Sequence, residues 1–189
     1  MKQFLLAITC GVLLSCNVQP ENTVDGASYF NIEELLNKEI QYLIGQQAGL
    51  EKTLNSNGQS ETTHMEPQTK EEWESQLSLF FEANIDKPGL REAYHEEDLS
   101  TVDGMSTKIY SAKSSKSFVQ TLELLYNNEV LKQINIQTSE KNEVYSSGRN
   151  LKLFLDNGGQ HIVGFDVSGD EKMRMKEAMN FEVKAVITY

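Results

Sequence analysis

Phe118-Val119-Gln120-Thr121-Leu122-Glu123-Leu124-Leu125-Tyr126-Asn127-Asn128-Glu129-Val130-Leu131-Lys132-Gln133-Ile134-Asn135-Ile136 is the stretch that decides the fold. Phe118, Gln120, Leu122, Leu124 and Tyr126 alternate with Val119, Thr121, Glu123 and Leu125. A period of two places alternate side chains on opposite faces of a strand. Asn127-Asn128 reads as a turn, and Val130, Lys132, Ile134 and Ile136 resume the alternation beyond it. Residues 117–138 therefore predict a β-hairpin.

The same period continues towards the C-terminus. Lys141-Asn142 marks a turn before Val144 and Tyr145. Leu151, Leu153 and Leu155 alternate up to Asp156-Asn157-Gly158-Gly159, a strong turn signal. Residues 162–167 read as a strand. Residues 170–180, with Met173, Met175 and Met179, read as a short helix. Phe181, Val183, Ala185, Ile187 and Tyr189 alternate strictly and predict a closing strand.

Upstream of Tyr94 the period is 3.6. Ile32, Leu35, Leu36, Ile40, Leu43 and Ile44 fall at helical spacing, with Asn31 as N-cap and Gly45 and Gly49 at the far end, which predicts a helix over 31–45. Residues 50–65 read as a hairpin around Asn57-Gly58, a pair that tolerates positive φ, with a loop as the alternative. Thr69-Lys70-Glu71-Glu72 is a capping box that opens a second helix. Its apolar stripe is Trp73, Leu77, Phe80, Phe81 and Ile85, and Asp86-Lys87-Pro88-Gly89 stops it. Helices first and hairpin-linked strands afterwards imply an α+β fold, with two N-terminal helices packed on a curved antiparallel meander. No strand–helix–strand alternation supports a Rossmann-type parallel sheet.

The first sixteen residues carry a different message. Lys2 precedes an uncharged run, Phe4 to Leu14, which is far shorter than the about 20 apolar residues needed to span a bilayer. This is a basic n-region with an h-region. The run ends Leu13-Leu14-Ser15-Cys16, which resembles the lipobox of bacterial lipoproteins, with Leu14 less usual than Ala or Ser. The organisation implied is a signal peptide over 1–15, a polar tether over 16–27 that starts at lipidated Cys16, and one domain over 28–189. Each buried CH₂ contributes roughly 0.8 kcal/mol, so two or three acyl chains on Cys16 anchor the protein without an apolar patch on its surface. Asn17 is not the Asp that retains lipoproteins in the inner membrane of enteric bacteria, so the expected address is the outer membrane, on its periplasmic face.

The chain's net charge is −11, and loss of Lys2 with the signal leaves it one unit more negative. Such a surface argues against nucleic acid and against anionic headgroups as partners. The two cysteines are Cys10, in the signal, and Cys16. With Cys10 discarded and Cys16 lipidated, the domain holds no thiol nucleophile, thiolate metal site or disulfide.

Leu77-Ser78-Leu79-Phe80-Phe81-Glu82-Ala83-Asn84-Ile85-Asp86-Lys87-Pro88, with Tyr94 beyond it, resembles an uncharacterised family of Bacteroidota lipoproteins. That family combines a Trp-containing helix, a phrase like Asp-Ile-Asn-Lys-Pro and then strands. Val144-Tyr145-Ser146-Ser147 and the closing strand are also similar to it. Asn84 and Asp86 stand where the pattern has Asp and Asn, and Gly89-Leu90-Arg91 replaces Ala-Trp-Arg. The resemblance spans most of residues 30–189 and implies no activity, cofactor or site.

Few residues suggest chemistry. His95-Glu96-Glu97-Asp98 has a metal-like inventory, but neighbours on a strand point to opposite faces and zinc needs three or four converging ligands. A weak calcium site through Glu97, Asp98 and Asp103 lacks EF-hand spacing. His64 falls in the polar hairpin or loop, and His161 starts a strand. Ser111, Ser114, Ser115, Ser117, Ser146 and Ser147 form no Gly-x-Ser-x-Gly elbow. Trp73, Phe80, Phe81 and the methionines are candidates to line an apolar pocket, although helix-to-sheet core explains them more simply. No catalytic residue, metal or cofactor is assigned. The expected function is a lipid-anchored, non-catalytic binding or interaction module of the cell envelope. The alternatives are a carrier or sensor of an apolar ligand, and a hydrolase using dispersed carboxylates or His161.

Overall fold

The computed structural model describes residues 28–100, 102–175 and 178–189. The predicted signal, the tether and Cys16 lie outside them. Helix α1 spans Ile32–Gly45, and the Asn31 side chain caps it by accepting the Glu34 N–H at 3.0 Å. Ile32, Leu36, Ile40 and Leu43 are fully buried. At its end the Ala48 N–H reaches the Leu43 carbonyl and the Gln47 N–H reaches that of Ile44, with Gln47 in the left-handed region at φ 53°. This is a Schellman closure built on glutamine, where glycine is the usual occupant. Neither Gly45 nor Gly49 supplies the reversal.

The second helix begins as the sequence requires and then breaks. Thr69 accepts the Glu72 N–H and the Glu72 carboxylate accepts that of Thr69, at 3.2 and 3.1 Å. Helix α2 (Lys70–Gln76) ends where Leu77 leaves helical geometry, and α3 (Ser78–Glu82) follows at once. The stripe survives the break: Trp73, Leu77, Phe80 and Ile85 are all buried, while Phe81 is only partly so. The helix stops before Asp86, because Asn84 Oδ1 accepts the Asp86 N–H and turns the chain early. Lys87 is extended ahead of Pro88, which opens a single 3₁₀ turn.

The remaining elements are strands: β1 (Gly49–Ser56), β2 (Gln59–Met65), β3 (Tyr94–Ser100), β4 (Met105–Ala112), β5 (Val119–Asn127), β6 (Val130–Lys141), β7 (Tyr145–Leu155), β8 (Ile162–Met173) and β9 (Met179–Thr188). They form one antiparallel sheet in the order β2-β1-β9-β8-β7-β6-β5-β4-β3, with β2 and β3 as its open edges. The meander runs from β3 to β9, and the N-terminal hairpin then adds its strand β1 to β9. Strands so dominate the described residues that α+β fits only loosely. Residues 50–65 form the expected hairpin and not the alternative loop, with Asn57 and Gly58 both at positive φ.

Two expectations are corrected. Residues 170–180 are not a helix where they are described: β8 runs on to Met173, Met175 turns the chain at φ 71°, and β9 starts at Met179. Cross-strand partners decide this, since Tyr145 pairs with Met173 on one side of β8 and Met179 with Glu171 on the other; such pairing outweighs a weak local preference. The turn of the central hairpin is Asn128-Glu129 and not Asn127-Asn128, with both turn residues left-handed and Asn127 paired to Val130.

Register explains the interior. Leu122, Ile136, Leu151 and Val167 stand side by side across four strands, and Leu124, Ile134, Leu153, Phe165 and Ala185 form the next row. All are buried and share one core cluster with the apolar side chains of α1, α2 and α3. Phe80 meets Phe165 edge to face, 5.7 Å between ring centroids. Each Leu, Ile or Phe so buried stabilises the fold by about 1.5–3 kcal/mol. The opposite face carries Glu123, Asn135, Lys152, Asp166 and Lys184 in one register row, a polar surface.

Candidate functional site

The residues singled out from sequence fall in unlike places. Trp73 and Phe80 lie in the core, and Phe81 packs at its margin. The Trp73 indole N–H is buried without a hydrogen-bond partner. His95-Glu96-Glu97-Asp98 lies on the edge strand β3. There Glu96 and Asp98 flank Lys108 at 2.7 and 3.6 Å on one face, and alternation sends His95 and Glu97 to the other. Asp103 is left-handed in the turn before β4. Among the described residues no three His, Cys, Asp or Glu side chains converge as metal ligands. His64 contacts Glu51 across the β1–β2 ladder at 3.3 Å. Met173, Met175 and Met179 are exposed around the β8–β9 turn.

One constellation escaped the sequence reading. Glu39 lies on the apolar face of α1, between Leu36 and Ile40, and is buried. Its Oε2 stands 3.3 Å from His161 Nδ1, and the Ile162 backbone N–H also reaches the carboxylate. Oε1 is buried with no partner. Burial pushes the Glu39 carboxyl above its ordinary value, against the opposing pull of His161. The His161 ring stacks on Tyr42, one turn from Glu39 on the helix, at 3.6 Å between centroids and 13° between planes. Asp156 holds the approach to His161, accepting the backbone N–H groups of Gln160 and His161 at 2.8 and 3.4 Å. Those bonds, led by Gln160, hold its own carboxyl low. Burial raises the Tyr189 phenol, and nearby Tyr42, Glu39 and Asp156 add to the effect. The arrangement holds an imidazole by a carboxylate and a stacked ring, with the histidine side chain 31% exposed. The available signal was a carboxylate inside an apolar stripe.

A second feature is an open groove of about 800 Å³. Its walls come from three separate segments. Glu82, the last residue of α3, and Lys87 form one wall. Ser115, Lys116 and Phe118 of the β4–β5 loop form another, and Ser139, Glu140 and Lys141 at the end of β6 the third. Two of the walls are tied together, since Ser139 N–H donates to the Phe118 carbonyl at 2.8 Å, and the β4–β5 loop is held at its start by Lys113 N–H donating to the Ala93 carbonyl at 2.9 Å. Inside the loop Lys116 N–H donates to Ser114 Oγ at 3.2 Å. Lys87 Nζ donates to the Glu82 carbonyl at 3.4 Å. Among the described residues the ammonium groups of Lys87, Lys116 and Lys141 are in no salt bridge. Three such cations in one groove stand out on a chain of net charge −11. Ser147 lies directly across the ladder from Glu140, on the same face, and its hydroxyl is buried with no hydrogen-bond partner.

No protein-family model, curated protein or solved structure matches this chain.

Proposed function

We propose that this protein is a lipid-anchored binding module of a bacterial cell envelope, non-catalytic, which takes a ligand or partner in the lysine-lined groove between α3, the β4–β5 loop and β6. The groove carries the reading: it is wide, two of its walls are joined by the Ser139–Phe118 backbone bond, and it sets three lysines against two glutamates within an acidic molecule. Its volume falls in the range of known ligand sites. The run Phe4–Leu14 before Leu13-Leu14-Ser15-Cys16 supports export and acylation at Cys16. In this reading acyl chains hold the domain at the outer membrane, on the periplasmic side, and the groove is left to the partner. The helices form a layer over the apolar face of a curved sheet, supported by the Phe80–Phe165 contact and by the core shared between them.

Native mass spectrometry of the mature lipoprotein, taken from its own membrane in mild detergent, tests the reading. The wild type is expected to retain a bound mass that the Lys87→Gln/Lys116→Gln/Lys141→Gln variant loses. A mass kept by both, or by neither, contradicts it. In parallel, Cys16→Ser is expected to release the protein from the membrane fraction.

A hydrolase reading has one observation of its own, the imidazole of His161 held by Glu39. It requires a loss of turnover in His161→Phe with the fold intact. The apolar-carrier reading draws less support, since Trp73 and Phe80 fill the core.

A further inference from the structure

Resting on the binding-module reading, we infer that the groove takes an acidic saccharide, a chain of sugar rings carrying carboxylate or sulfate groups. The side chains around it are mixed in a way that narrows the ligand. Lys87, Lys116 and Lys141 offer three cations free of ion pairs among the described residues, so the ligand carries separated negative charges. Glu82 and Glu140 share the groove. Two carboxylates repel a dense polyanion such as polyphosphate, yet they accept hydrogen bonds from hydroxyl groups. Ser115 and Ser139 both donate and accept. Phe118 is half-buried, with part of its ring left for the apolar C–H face of a sugar. Hydroxyls, sparse anionic groups and an apolar ring face occur together in acidic sugars.

One further observation fits. About 800 Å³ exceeds the room a single oxyanion needs and suits several linked rings. Lysine ammonium groups act as point charges and do not distinguish planar carboxylate from tetrahedral sulfate. The test therefore carries both.

The test is calorimetric titration of the intact lipoprotein in detergent with four probes: a galacturonate tetramer, a sulfated tetrasaccharide, a neutral maltotetraose and inorganic pentapolyphosphate. At least one acidic saccharide is expected to bind, at least tenfold more tightly than maltotetraose and more tightly than pentapolyphosphate. Each of Lys87→Gln, Lys116→Gln and Lys141→Gln is expected to weaken it about fivefold or more. Lys152→Gln, on the opposite face, is expected to leave it unchanged. Equal binding of neutral and acidic chains, preference for polyphosphate, or no binding of either acidic probe overturns the inference. Where both acidic probes fail and the triple variant still loses the mass carried from the host membrane, the saccharide assignment falls and the module reading stands. Where that mass survives the triple variant, both fall.

Discussion

His161 reaches back to Glu39, 122 residues earlier in the chain, and places Nδ1 3.3 Å from the carboxylate Oε2. The contact ties the residue just before β8 to the middle of α1, and one oxygen of the carboxylate is left buried and unpaired. Burial raises the Glu39 pKa above its usual 4.5. The folded state therefore holds the proton more tightly than the unfolded chain does. The associated stability is complete below the ordinary carboxyl value and is lost as pH rises through the raised one. Glu39→Gln is expected to raise the thermal midpoint at neutral pH by a few degrees. The gain should shrink as pH falls through the carboxyl range. Calorimetric melts from pH 4 to pH 8 check it.

His161→Phe keeps a ring on Tyr42 and removes the nitrogen facing Glu39. Leaving the buried carboxylate without this partner is expected to cost about 1–3 kcal/mol. In Glu39→Gln the same change should cost less. A double-mutant cycle by urea denaturation measures the coupling.

Gln47 holds the left-handed position of the Schellman closure with an exposed side chain. Gln47→Gly removes the steric cost of φ 53° there and is expected to stabilise by about 0.5–1 kcal/mol. Gln47→Val should destabilise by a similar or larger amount. Urea midpoints at constant m distinguish the two.

Thr69→Ala removes one half of the reciprocal bond pair that opens α2. The expected loss is about 1 kcal/mol. Phe80→Ala should cost more, about 3–5 kcal/mol, because it leaves a hole against Phe165. Phe81→Ala, at the margin of the core, should cost less than Phe80→Ala. Near-equal losses would place Phe81 deeper in the core than its partial burial indicates.

What the sequence revealed follows the range of the forces involved. The Thr69–Glu72 box, the Asn31 cap and the Asn57-Gly58 turn act within a few residues, and each is where local chemistry puts it. The alternation from Phe118 to Ile136 gave the hairpin and its buried face, although the turn slipped by one residue because Asn128 and Glu129 share the left-handed geometry. Residues 170–180 misled because Asp170 to Met173 pair with Tyr145 to Gly148, a ladder that no local window contains. The addition of β1 to β9 joins two segments far apart in the sequence in the same way. Glu39 was visible as a charge in an apolar stripe, but its partner is far away in sequence. The groove takes its walls from three segments, and the one local sign of it is the hydroxyl-and-ammonium run Lys113-Ser114-Ser115-Lys116-Ser117.

Site-specific photo-crosslinking in living cells tests binding in the groove most directly. A benzophenone amino acid replaces Ser115 in the groove, or Asn150 on the opposite face of the sheet as the comparison. A discrete adduct is expected from position 115, abolished by Lys116→Gln combined with Lys141→Gln, and none from position 150. No adduct from 115, or the same adduct from both positions, would contradict it.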